Sequence, residues 1–108
     1  MAECIHWWEF PLNLLSLKLE KDFKEKLFEE SDKHFITTGN LAKFLQEKSK
    51  LYGKNIISDH RIVWYYKKKA EYIPAWVIYE IAKSINLELL KIEKNIEAYT
   101  STYGRLYI

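Results

Sequence analysis

Thr37-Thr38-Gly39-Asn40-Leu41-Ala42-Lys43-Phe44-Leu45, followed after eleven further residues by Ile57-Ser58-Asp59-His60-Arg61-Ile62-Val63-Trp64-Tyr65-Tyr66-Lys67-Lys68-Lys69, is the stretch that decides the reading of this chain. Each half carries a helix-start signal ahead of an apolar stripe. Thr38 is the expected N-cap of the first helix, whose Leu41, Ala42, Phe44 and Leu45 share one side and whose pattern runs to about Leu51 before Gly53 stops it. Ser58 is the expected cap of the second, with Asp59 in its first turn, where a carboxylate suits the helix dipole. Ile62, Val63 and Tyr66 fall on one side of that helix, leaving His60, Arg61, Trp64, Lys67 and Lys68 to project elsewhere. Two helices joined by a turn, the second with a hydrophilic face, form the central unit of the predicted fold.

The same stretch is set apart by charge. From Lys43 to Lys69 there are eight basic residues and two acidic ones, whereas the rest of the chain holds nine basic and thirteen acidic. A local excess of this kind gives one face a positive field, the electrostatic prerequisite for meeting phosphate.

Outward from this centre the pattern stays mainly helical. Glu20 to about Asp32 reads as an amphipathic helix with Phe23, Leu27 and Phe28 on its apolar side. Pro74 is expected to open a helix in which Val77, Ile78, Ile81, Ala82 and Ile85 recur at helical spacing, and Asn86 ends it. Leu87 to about Ala98 is expected to be a fifth helix, with Leu89, Ile92 and Ile96 inward. The aromatic segment from Ile5 to Leu19, broken by Pro11, and the Thr- and Tyr-rich residues 100–108 read as extended. The prediction is therefore a mainly α domain spanning 1–108, with about five helices around a helix-turn-helix. A short two-stranded ribbon from the N- and C-terminal segments closes it. With 48% apolar residues, 16% aromatic, three Gly and two Pro, the composition fits a real core and short connections.

Several residue phrases, taken in order, resemble a known family. Leu41-Ala42-Lys43-Phe44-Leu45, Ile57-Ser58 through Tyr65-Tyr66-Lys67-Lys68-Lys69, Ile73-Pro74, and Ile78-Tyr79-Glu80-Ile81-Ala82-Lys83-Ser84-Ile85-Asn86-Leu87 are similar to the lambda-repressor or Cro-like (XRE-type) helix-turn-helix family. The placing of Ile73-Pro74 after a basic turn is similar to archaeal versions, some of which precede LAGLIDADG-type endonuclease domains; the acidic ends of such an endonuclease are absent. The resemblance covers roughly residues 38–99. It implies that the helix beginning at Ser58 enters the major groove, that the first helix crosses the backbone, and that the protein binds two half-sites as a homodimer. The sequence departs from the family at two points. Lys69 or Ala70 stands where a Gly usually follows the recognition helix, and residues 46–56 lengthen a turn that is usually tight. Either the first helix runs on and the turn is long, or a basic loop is inserted.

The expected function is sequence-specific binding of double-stranded DNA, as in a transcriptional regulator. Thr37, Thr38 and Asn40 would lie beside the backbone; Lys43, Lys48, Lys50, Lys54, Lys67, Lys68 and Lys69 would supply phosphate contacts; Ser58, His60, Arg61 and Trp64 would front the helix that reads bases, Arg61 being suited to a bidentate guanine contact. The alternatives are a helical protein-interaction module that binds no nucleic acid, and an RNA-binding module. No cofactor is expected, and no enzyme signature is found: there is no Gly-rich phosphate loop, G-x-S-x-G or HExxH. Cys4 is the only cysteine, so no intramolecular disulfide or thiolate zinc cluster can form, and His6, His34 and His60 are too scattered for a metal site. Tyr66 is expected inside, and Trp7 and Trp8 are expected to be packing or dimer-contact residues. Met1 to Phe10 lacks signal-peptide character and no apolar run is long enough to span a bilayer, so a cytoplasmic protein without membrane contact is expected.

Overall fold

The element on which the others pack is α4, Ala75–Ser84, in which Ala75, Trp76, Val77, Ile78, Glu80, Ile81 and Ala82 are all buried. A helix apolar nearly all round needs cover on every side, and here β1 (Leu15–Leu19), β2 (Ile73–Pro74), α1 (Lys21–Phe35) and α2 (Thr38–Ser49) provide it. In the computed structural model, which describes residues 5–101, the chain runs through a 3-10 turn (Trp7–Glu9), β1 (Leu15–Leu19), α1 (Lys21–Phe35), α2 (Thr38–Ser49), a second 3-10 turn (Lys50–Tyr52), α3 (His60–Lys68), β2 (Ile73–Pro74), α4, α5 (Leu89–Glu93) and β3 (Ile96–Ser101). This is the expected mainly α architecture of five helices, closed by a small antiparallel sheet.

The predicted ribbon is present. β1 pairs antiparallel with β3, with Leu17 facing Tyr99 and an irregularity at Lys18–Leu19. It gains a third member, since Ile73 and Pro74 pair with Leu17 and Ser16 on the other side of β1. The fifth helix is shorter than expected: it stops at Glu93, and the chain enters β3 at Ile96, not beyond Ala98. Ile96, Ala98 and Thr100 alternate with more exposed neighbours, the period-two pattern of a strand with one covered face. Cys4 and residues 102–108 of the expected ribbon lie outside the described residues.

The N-terminal segment is extended only in part. Glu9 turns it by accepting from the His6 amide, and Trp7 is fully buried, its indole N–H donating to the Leu89 carbonyl at 3.0 Å. Glu93 of α5 accepts from the Trp7 amide and from the His6 ring, and His6 stacks on Trp8. Trp7 is thus a packing residue. Among the described residues, no helix is long and apolar enough to cross a membrane.

Helix ends explain the local boundaries. Glu20 caps α1 by accepting from the Phe23 amide, and Asn86, at φ 57°, ends α4 with the Leu87 amide bonded back to Ala82. Pro74 is the residue before α4 and not its first, because its ψ of 135° is extended and it belongs to β2. Between α1 and α2, Ile36 adopts φ 70° and ψ −50°, with the Thr37 amide bonded to the Phe35 carbonyl. This is a γ-turn in a region a β-branched residue tolerates poorly.

One polar contact ties the turn after α2 to α4. The Tyr52 hydroxyl donates to the Glu80 carboxylate, and the Tyr52 ring stacks on Trp76 with centroids 5.5 Å apart. Burial and this carboxylate hold the Tyr52 hydroxyl well above its ordinary pKa. Glu80 is only 3% exposed, so it depends on this donor. Tyr52→Phe should keep the stack, strip the carboxylate of its partner, and lower stability by about 1–3 kcal/mol. In urea unfolding, the double variant Tyr52→Phe/Glu80→Leu should recover much of that loss, whereas simple additivity would show that the pair is not coupled.

Candidate nucleic-acid interface

The helix-turn-helix pairing is built from the caps upward. Thr37, not Thr38, caps α2: its hydroxyl oxygen accepts from the Asn40 amide at 3.1 Å, and the Asn40 side chain donates to the Phe35 carbonyl at 2.8 Å. Both threonines offer a hydroxyl, and the γ-turn at Ile36 selects the earlier one by leaving Thr37 extended. Asp59, not Ser58, caps α3 for the same kind of reason. Asp59 is the extended residue, and its Oδ1 accepts from the Arg61 amide at 2.9 Å. Ser58 is one position outside the helix.

The long connection resolves in favour of an extended helix and a long turn. α2 continues to Ser49, the 3-10 turn adds Lys50–Tyr52, and Gly53 reverses the chain at φ 69°. The Lys54 amide then bonds the Ser49 carbonyl at 2.9 Å. Only the positive φ requires glycine at position 53, because a Cβ there would meet nothing. Residues 54–59 run without regular structure to α3. At the far end, Lys69 has φ −116°, so the missing glycine is not needed there.

α2 and α3 pack together, and α1 braces both. Val63 and Tyr66 of α3 enter the core, where burial pushes the Tyr66 hydroxyl up to about 12. Lys67 lies at the boundary, 17% exposed, with its ammonium donating to both carboxylate oxygens of Asp32 on α1 at 2.7 Å. Lys24 of α1 donates to the Ala70 carbonyl just after α3, and desolvation lowers its pKa. Two cations therefore fasten α3 to α1.

What remains outward on α3 is a single stripe: His60, Arg61, Trp64, Tyr65 and Lys68, spaced one, three, one and three, with Lys69 beyond. Trp64 and Tyr65 are each 51% exposed, and the Lys69 ammonium lies 5.8 Å from the centre of the Trp64 ring. Of the three adjacent aromatics only Tyr66 turns inward, as expected. Lys43 and Lys50 are exposed on α2 and the turn that follows it, while Lys48 is partly covered beside Phe44 and Lys54 is half-buried. The structure thus brings His60, Arg61, Trp64, Lys68 and Lys69 together. It places Thr37 and Asn40 in capping roles and commits Lys67 to a structural ion pair. Sequence reasoning passed over Tyr65, which its position next to Trp64 and one turn from Arg61 and Lys68 marks as part of the same stripe.

Arg61 is not a free cation. Its Nε and Nη2 donate to Asp59 Oδ2 at 2.9 and 2.7 Å. Among the described residues, no group of three or more His, Cys, Asp or Glu side chains could hold a metal ion. Comparison with protein-family models, with curated proteins and with solved structures gave no match.

The side-chain bonds from Arg61 hold the Asp59 carboxyl at about 2, well below its usual 3.8. A depressed carboxyl stabilises its helix above the unfolded-state value and loses that contribution as pH falls through the folded one. α3 should therefore keep its cap at and above pH 4 and loosen as pH drops toward 2. The carbon-13 titration of Asp59 should show this low midpoint, and in Arg61→Ala the midpoint should return toward the usual value. An unshifted midpoint in the wild type would remove the clamp.

Proposed function

We propose that this protein binds double-stranded DNA sequence-specifically, with α3 as the reading helix, and acts as a transcriptional regulator. The observation that carries this reading is the outward stripe of α3, basic and aromatic along its whole length, on a helix paired with α2 and braced from behind by α1. In a helix-turn-helix the second helix meets base edges through its N-terminal residues, while the first helix and the flanks meet phosphate. His60 and Arg61 occupy that N-terminal position, and Ser58 and Trp64 flank them. Lys68 and Lys69 follow at the C-terminal end, where cations suit both the helix dipole and phosphate. Lys43, Lys48, Lys50 and Lys54 extend the phosphate track along α2 and its turn, with Thr37, Thr38 and Asn40 at the start of α2 beside the backbone. Lys67, held by Asp32, serves the orientation of α3 more than the ligand.

The resemblance to the lambda-repressor or Cro-like family supports the same reading and adds a homodimer on two half-sites, for which the exposed Ile5, Phe10 and Tyr99 of the terminal segments offer apolar surface. A cytoplasmic regulator accords with this. A second reading is favoured by one observation, the two half-exposed aromatics on α3: stacking on unpaired bases, as in RNA or other single strands.

Titration with mixed-sequence duplex at low and moderate salt should show salt-sensitive binding, and selection from a random duplex pool should return a palindrome. No binding at micromolar protein would overturn the reading in favour of a protein-interaction module. Better competition by single strands, with tryptophan quenching, would favour the stacking reading. Arg61→Ala should cost about 1–3 kcal/mol on the selected site and relax one base position, against a uniform loss on all sequences if Arg61 only meets phosphate. Lys68→Ala and Lys69→Ala should each flatten the slope of log K against log salt by about 0.9. Lys67→Ala should show first as lower stability.

A further inference from the structure

At the outer end of α3, Arg61 and Asp59 form an ion pair in fixed geometry, with the His60 ring 3.9 Å from the same carboxylate. Arg61 lies one position inside the helix start and its side chain is 82% exposed, yet it is tied to the capping residue by three bonds. Oδ1 of Asp59 takes the backbone amide, and Oδ2 takes Nε–H and one N–H of Nη2. A guanidinium has five N–H donors, so three remain: the second on Nη2 and both on Nη1. The Nη1–Nη2 edge shares Nη2 with the edge held by Asp59 and keeps two parallel donors on a largely exposed side chain.

Resting on the DNA reading above, we propose that Asp59 is a positioning residue that presets Arg61 as a guanine reader. Asp59 grips one edge of the guanidinium and thereby presents the other to the N7 and O6 of a guanine in the major groove. Guanine is the one base that offers two acceptors along that edge; adenine and cytosine place an amino donor there, and thymine a single acceptor beside a methyl group. Holding the side chain before the ligand arrives removes rotamer entropy that a free arginine would lose on binding. The grip also has an electrostatic effect. Asp59 cancels the charge of Arg61, so the pair adds little to phosphate attraction, which falls to Lys68 and Lys69. The helix front then separates its tasks: a neutralised fork for one base, and unpaired ammonium groups for the backbone.

Asp59→Asn tests this, because its amide oxygen can still cap α3 while its NH2 group cannot hold the guanidinium. Asp59→Ser, also a good cap without a second oxygen, is the control for folding. The full chain is used with a duplex selected from a random pool by the wild type, and with copies in which each guanine in turn is replaced by 7-deazaguanine, which lacks N7. In the wild type, one guanine position should lose roughly five- to hundredfold in affinity on replacement, and Arg61→Ala should be insensitive at that same position. Asp59→Asn and Asp59→Ser should remain folded, with a thermal midpoint close to that of Arg61→Ala, which loses the same clamp, and lose most of that discrimination. Both should bind mixed-sequence duplex more tightly, with a steeper salt dependence, since a negative charge has been removed. Affinity up and discrimination down is a combination that a purely structural cap would not produce. Wild-type discrimination retained in both variants, or an equal loss on every sequence, would overturn the inference while leaving DNA binding intact. Absence of salt-sensitive duplex binding by the wild type would instead remove the DNA reading and this inference together.

Discussion

Covering α4 is the constraint from which the rest of the architecture follows. Trp76, Val77, Ile78 and Ile81 are each almost completely buried, and such side chains contribute about 1.5–3 kcal/mol apiece relative to exposure. No single neighbour can cover them all. The sheet lies on one side, α1 and α2 lie on others, and the turn at Tyr52 closes over Trp76. The buried Glu80 makes this cover directional as well as greasy, because its carboxylate fixes where the Tyr52 hydroxyl must be. The turn between α2 and α3 is thereby placed, and with it the start of the outward-facing helix.

α3 itself is fixed at both ends by polar contacts in addition to the area it buries. Nine residues long, it commits only Val63 and Tyr66 fully to the core. An isolated helix of that length is unstable in water. Here Asp59 fixes its start, Lys67 is anchored by Asp32 in its last turn, and Lys24 satisfies a carbonyl just past its end. Pairing Lys67 with Asp32 and Arg61 with Asp59 leaves the surface less positive than the chain composition implies. What remains outside is better sorted, with lysines toward one end and the Asp59–Arg61 pair at the other.

The four longer helices were legible because their apolar residues recur at helical spacing and their ends carry capping chemistry. The limits of that legibility are equally physical. Thr37-Thr38 and Ser58-Asp59 each present two adjacent cap residues, and which one is extended depends on the preceding turn, a feature with no sequence marker at Ile36. Leu89, Ile92 and Ile96 fit a continuous helix by spacing, but Ile96 also begins the alternation of β3, and the need of β1 for a hydrogen-bonded neighbour decides the matter. A two-residue strand ending in proline, Ile73–Pro74, is too short to leave any pattern. In the candidate site, the outward face of α3 was readable from Val63 and Tyr66 by elimination. The partners of its cations were not, since Asp32 lies 35 positions before Lys67 and counting charge along a stretch is blind to such neighbours.

The central position of β1 has a consequence for how the molecule assembles. Leu17 faces Tyr99, 82 positions later in the chain, and joining such distant segments carries a loop-closure entropy on the order of 4 kcal/mol. Contacts of α2 with α1 and with α3 span shorter separations and form at lower entropic cost. On contact separation alone, the helix-turn-helix is expected to form before the sheet. β3 lies on the side of β1 away from β2. Kinetic persistence of the native state then rests on the β1–β3 zipper, a region remote in sequence from the residues that face outward on α3.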